Sequence, residues 1–180
     1  MDRFVNNILP HTPGCPEQLI KSEVLRTAIE FCKKTLIWQS EEESTAAGGD
    51  DTIALSPSSG KIEGVKVEVN GTEIFDYTLS DVTVALDNEL SEGDEIKVTL
   101  YLVPERDAAS LPNILYIDWL DGISAGARAA LMVMPEKPWS NPKMAQIHLQ
   151  TYQHQVGQAL VLTRKKNMRE PVRLVMRPWV

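Results

Sequence analysis

Apolar positions recur every three to four residues early in the chain. Ile20, Val24, Ala28, Phe31 and Thr35 mark one stripe, which Leu25, Ile29, Cys32 and Leu36 widen. That period predicts a helix from Glu17 to Trp38. Glu17 in its first turn and Lys33 and Lys34 near its end suit the helix dipole. Ahead of it, Pro10, Pro13, Gly14 and Pro16 predict a leader over residues 1–16 with no regular structure. Behind it, residues 39–52 (QSEEESTAAGGDDT) read as a polar, mobile linker.

From Ile53 to Val103 the period becomes two. Val65, Val67 and Val69 alternate with Lys66 and Glu68, and Asn70-Gly71 follows directly. Asn-Gly between alternating runs predicts a two-residue hairpin, because both residues tolerate a positive φ. Val82, Val84 and Leu86 alternate again, as do Ile96, Val98, Leu100 and Leu102, with Glu92-Gly93-Asp94 as the turn between. The expectation is four or five short antiparallel strands with acidic residues on the outward face.

The helical period returns after Pro112. Leu115, Trp119, Ile123, Ala127, Ala130, Leu131 and Met134 predict a helix over about 113–134. Gly122 and Gly126 lie four apart on it. Glycine costs about 1 kcal/mol relative to alanine inside a helix, so this pair points to a close helix–helix approach, with a backbone opened to a ligand as the alternative. Asn141-Pro142 fits a helix start, and a long helix should run to Lys166 along Met144, Ile147, Thr151, Val156, Ala159, Leu160 and Thr163. The loop between them, which includes Trp139, is short, so the two helices should form an antiparallel hairpin over 113–166. The expected fold is one α+β domain over 1–180. It is a helical bundle, made of the N-terminal helix and the hairpin, with a small antiparallel sheet inserted at 53–103 and an extended tail at 167–180.

Charge divides the chain unevenly. The net charge of the 180 residues is −7. Residues 41–107 carry 17 acidic and four basic residues, whereas 164–180 carry six basic and one acidic. The acidic average argues against a protein that coats nucleic acid, but this exclusion is weaker for the basic end. No apolar run is long enough for a membrane span, and no secretion-signal pattern is present at Met1–Phe4. Two cysteines without close spacing fit a reducing compartment.

Chemistry-bearing motifs are scarce. His148 and His154 are six apart, so they project about 120° from one another on a helix and make no metal pair. Cys32 reads as a buried thiol and Cys15 as a loop thiol. Glu41–Glu43 and Asp50-Asp51 lack the spacing of a calcium loop. No nucleophile elbow, zinc-protease or nucleotide-binding motif occurs. The expectation is a non-enzyme with no cofactor and no metal. The basic end alternates Arg169, Arg173 and Arg177 with Leu174, Val175 and Trp179. Three readings stay open for it: an edge strand with a basic rim, an arm that docks on a neighbour with Trp179 as anchor, or a nucleic-acid contact.

Two stretches resemble a family of small bacteriophage head-to-tail adaptor, or head-completion, proteins. The first is Leu9-Pro10 and Pro13–Ile20 running into Ala28–Thr35 and Trp38. The second is Gly122-Ile123, Gly126-Ala127, Leu131-Met132, Pro135, Lys137–Pro142 and Ala145. Together they span about half the chain. The resemblance implies a structural virion protein of the phage neck, assembled in the host cytoplasm. It would form a homo-oligomeric ring of about twelve copies between a dodecameric portal and a tail or nozzle protein. The tail of each subunit would dock on the portal or on a neighbouring subunit. Acidic surface toward the channel would let DNA pass during ejection without specific binding. Another neck or tail-completion protein, or a soluble peptide- or small-ligand-binding module built on the sheet, are the alternatives.

Overall fold

The structure, a computed structural model, describes residues 1–49 and 51–167. The elements run α1 (Asp2–Ile8), α2 (Glu17–Thr35), β1 (Gln39–Thr45), β2 (Thr52–Ala54), β3 (Lys61–Val69), β4 (Thr72–Ile74), β5 (Tyr77–Ser80), β6 (Thr83–Leu86), β7 (Glu95–Val103), α3 (Asn113–Ile117), α4 (Leu120–Met132) and α5 (Pro142–Asn167). A 3-10 turn, Leu9–His11, follows α1.

The expected helical bundle with a small inserted sheet is corrected. The strands form two antiparallel sheets, ordered β1-β7-β3-β4 and β2-β6-β5. They enclose a core of their own, built on Val67, Val84, Val98, Leu100 and Leu102. The five α-helices surround a second core built on Phe4, Ile20, Val24, Phe31, Leu115, Ile123 and Leu131. The β part is thus a full layer pair of seven strands, not the four or five expected, and one of them lies wholly outside the predicted span. That strand is β1, which lies in the stretch expected to be a mobile linker. It pairs with β7 along its whole length, from Gln39 opposite Tyr101 to Thr45 opposite Glu95. Glu41 and Glu43 stand on the outward face, where both reach Lys97, at 2.8 and 3.4 Å. Glu42 turns to the other side and accepts from the Ser56 amide at 3.1 Å. Charged residues suit an edge strand, so their density concealed a strand rather than excluding one.

The expected leader is also overturned. Residues 2–8 form α1, and Phe4, Val5 and Ile8 are buried. Phe4 and Ile8 are four apart with Val5 beside them, which makes a short apolar helical face. The prolines that argued against structure begin only at Pro10. The Thr12 hydroxyl donates to the Ile8 carbonyl at 3.2 Å and fastens the turn that follows.

Helix α2 stops at Thr35, short of Trp38, because Leu36 adopts the left-handed region at φ 52° and turns the chain toward β1. The helix expected over 113–134 is two. Asp118 closes α3, and Trp119, at φ −125° and ψ 14°, breaks the helical path so that its indole enters the core. The Asn70-Gly71 hairpin forms as predicted, with φ of 49° and 76° at its two turn residues and Val69 opposite Thr72. Helix α5 begins at Pro142, and the Met144 amide donates to the Asn141 side chain at 3.2 Å.

The buried side of α5 matches the predicted stripe at Ala159 and Thr163 but departs from it in the first half of the helix. Ala145, His148, Tyr152, Ala159 and Thr163 face inward, while Ile147 and Thr151 are exposed. Two alanines, Ala145 and Ala159, and the rings of His148 and Tyr152 make up most of this face. The two cores meet at Trp38, which packs against both, and the Leu102 amide donates to the Trp38 carbonyl at 2.9 Å. Lys33 on α2 and Glu63 on β3 add an ion pair across this junction at 3.0 Å.

Candidate interaction surfaces

Three surfaces emerge, and the helical hairpin positions the first two. Helices α4 and α5 run antiparallel, with Gly122 opposite Gln155 and Gly126 opposite Tyr152. A Cβ on Gly122 would stand 2.8 Å from that of Gln155. One on Gly126 would meet Thr27 of α2 at 2.6 Å and the Tyr152 ring at 2.8 Å. The pair therefore sits where three helices converge. Trp139, in the loop before α5, is buried in the helical core, although its indole N–H finds no acceptor among the described residues.

A cleft of about 520 Å³ opens beside Gly126, between α2, α4 and α5. Ala129, Ala130, Val133 and Leu149 give it an apolar floor, with Arg26 and Glu30 at its rim. On the opposite flank of α5, Trp119, Gly157, Val161 and Leu162 line a second apolar groove of about 520 Å³. Leu149 in the first depression, Val161 and Leu162 in the second, and Ile147 elsewhere on α5 each expose about half of their surface. One helix thus carries apolar side chains both into the core and out to solvent. A run of such residues outside a helix's buried stripe commonly marks a protein contact.

The third surface is the outer face of the four-stranded sheet. Strand register places Glu43, Lys97, Glu68 and Glu73 in one row across it, with Glu41, Thr99 and Lys66 in the next. Lys66 bridges Glu68 at 2.9 Å and Glu73 at 3.4 Å. The Lys97 ammonium, by its hydrogen bond, holds the Glu41 carboxyl below its usual range, and the Glu68 carboxylate holds the Lys66 ammonium above its own. The end of α5 reaches this face. Asn167 donates to the Tyr101 hydroxyl at 3.1 Å and accepts from the Gln39 side chain at 3.3 Å.

Sequence reasoning missed this juncture, and nothing in either segment alone signals it. It also missed the approach of His11 to His148, whose rings stand edge-on with centroids 5.9 Å apart. His154 takes no part in that pair; its ring nitrogen instead meets the Gln158 side chain at 3.1 Å. Burial, then the nearby Arg128 and His11, depress the His148 pKa below its usual 6.5. The Arg128 guanidinium itself donates to the Asn7 side chain of α1. The fold therefore favours neutral His148 more than the unfolded chain does, in which it binds a proton near pH 6.5. Stability is full above that pH and falls as the pH drops below it. The melting temperature is expected to fall between pH 7.5 and 5.5, and His148→Gln should flatten that slope. An equal slope in both proteins would contradict the assignment.

Both cysteines are buried and unpaired. Burial pushes the Cys32 thiol up to about 12 and raises Cys15 as well, so both stay protonated near neutral pH. Among the described residues, no group of three or more His, Cys, Asp or Glu could hold a metal ion. Among them also, no helix is long and apolar enough to cross a membrane. The predicted docking residues Arg169, Arg173, Leu174, Val175, Arg177 and Trp179 lie outside the described residues. No family model matches the chain, and no curated protein matches it either.

Proposed function

We propose that this chain is a non-enzymatic structural subunit of a bacteriophage neck, a head-to-tail adaptor that assembles as a ring under the portal and carries the DNA channel onward to a tail or nozzle protein. The single observation that carries the reading is the two-sided apolar character of α5. A ring subunit contacts a copy on each flank through two different surfaces. The groove at Trp119 and Leu162 on one flank and the cleft at Ala129 and Leu149 on the other supply two such surfaces. The resemblance of residues 9–38 and 122–145 to adaptor proteins supports the same reading. The acidic outer sheet face is suited to a channel wall that does not retain phosphates. The basic chain end is suited to contact with the portal.

The test uses two variants. Ile147→Asp/Leu162→Asp changes half-exposed residues and should move stability by no more than about 1 kcal/mol, about 0.5 for each site. It is nevertheless expected to abolish ring formation when the chain is mixed with isolated portal and viewed by electron microscopy. Removal of residues 171–180 should leave the helical core folded and weaken attachment to the portal. Rings of the double variant indistinguishable from wild type, or unchanged portal binding after the truncation, would overturn the reading. The apolar cleft at Gly126 favours one alternative, a module that binds an amphipathic peptide helix. A strict monomer in the presence of portal, with saturable peptide binding at the cleft, would select it.

A further inference from the structure

We propose that residues 168–180 dock in cis along the outer face of the β1-β7-β3-β4 sheet of their own subunit, with Arg169, Arg173 and Arg177 set against its carboxylates. This inference stands apart from the connector reading and survives or fails without it.

The first argument is where α5 ends. Asn167 is tied to Tyr101 on β7 and to Gln39 at the start of β1, so the following residues begin at the rim of this face. Lys166 already lies close enough to contribute to lowering the Glu41 pKa. The second argument is charge. Strand register puts Glu41, Glu43, Glu68, Glu73 and Glu95 on this side of the sheet against Lys61, Lys66 and Lys97. Residues 168–180 offer the three arginines and one acid, Glu170. The two excesses are opposite in sign. Arginine also adds forked hydrogen bonds that the resident lysines cannot make.

The third argument is shape and reach. A shallow trough of about 450 Å³ runs over the face, lined by Glu43, Thr45, Glu68, Gly71, Glu95 and Lys97. An extended chain advances about 3.3 Å per residue, so the ten residues from Asn167 to Arg177 span about 33 Å. Four strands are only about 15 Å across, so the segment crosses the sheet with length to spare. Positions 169, 173 and 177 are separated by even numbers of residues, so an extended segment can present all three arginines to the carboxylates together. The tether adds an effective concentration in the millimolar range, so modest pairing suffices. An arm stored in this way must leave the sheet before it reaches any other partner, which makes the acidic face a competitor for it.

The experiment uses the full chain with Val180→Cys carrying a nitroxide. The native thiols are buried and protonated, so the label goes to the introduced one. In 15N-enriched protein, amide signals of Glu41–Thr45 and Glu95–Thr99 should broaden, while those of α1 and α4 should not. Arg173→Gln/Arg177→Gln, or 0.5 M salt, should reduce that broadening at least about threefold, since screening weakens exposed pairs. No selective broadening on the sheet would overturn the proposal, as would broadening untouched by both treatments. A mixture of labelled, unenriched protein with unlabelled, enriched protein should show none. Sheet broadening in that mixture means docking between copies and overturns the cis assignment.

Discussion

Phe31→Ala is expected to remove about 3–5 kcal/mol of stability, the usual cost of truncating a fully buried phenylalanine. Phe31 has no exposed surface and stands in the middle of the helical core. Its ring lies 5.3 Å from that of Trp119 and 6.2 Å from that of Tyr152, centroid to centroid. Each such tilted pair adds about 0.5–1.5 kcal/mol beyond area burial, which pushes the estimate toward its upper end. The cavity cannot close readily. Trp119 is held where α3 breaks into α4, and Tyr152 is pressed against Gly126. For a domain whose net stability is about 5–15 kcal/mol, this loss leaves a large unfolded fraction or none of the fold. Urea unfolding followed by circular dichroism checks it. Phe75→Ala is the control, since Phe75 is 77% exposed and should change the midpoint little. A loss under about 1 kcal/mol for Phe31→Ala would mean that the helical core is not built around this ring.

The second large effect is expected from a single methyl group. Gly60 lies at φ +78°, and a Cβ there would stand 2.5 Å from the Trp38 ring and 2.8 Å from the Val103 carbonyl oxygen. Gly60→Ala should therefore combine left-handed backbone strain of about 1–2 kcal/mol with an overpacking cost of about 1–3 kcal/mol. Trp38 cannot simply swing aside, because it packs against the helical core and the sheet core together. Gly93→Ala isolates the backbone part. Gly93 has φ +88°, but a Cβ there meets nothing within 4 Å. Its loss should be about 1–2 kcal/mol, and the difference between the two variants measures the junction. Gly60→Ala should also separate unfolding probes that coincide in the wild type, with the sheets and the helices melting at different midpoints. Equal losses for the two variants would show that the Trp38 contact carries little.

What the sequence made legible, and what it hid, follows from how each element reaches its core. Strands β3 and β7 alternate cleanly because one side faces the sheet core and the other faces outward, and the Asn70-Gly71 turn was readable from two residues. Strand β1 was not legible. An edge strand whose inner side is itself polar, Ser40, Glu42 and Ser44, has no alternation to detect. Helix α1 hid behind its length of seven residues and the prolines that follow it. Helix α5 was legible as a helix, but its phase only in the second half, at Ala159 and Thr163, because apolar residues lie on several sides of it and more than one stripe fits. That same ambiguity is the signature of its exposed surface, and it could have been read as such. The meeting of Asn167 with Tyr101 and Gln39 joins positions far apart in the chain, and only tertiary structure brings them together.

The sheet part enters and leaves the helical part at one point. Gln39 opens β1, Tyr101 lies near the end of β7, and the two are paired residues of one ladder. Paired residues in adjacent antiparallel strands have Cα atoms only about 5 Å apart. To the helices, therefore, the sixty residues or so between these positions amount to a single short loop. Segments whose ends meet in this way can be lengthened, replaced or removed while the host core keeps its connections. The two halves of the molecule are thus free to change at different evolutionary rates, with Trp38 and Gly60 as the hinge point that any exchanged segment would have to satisfy.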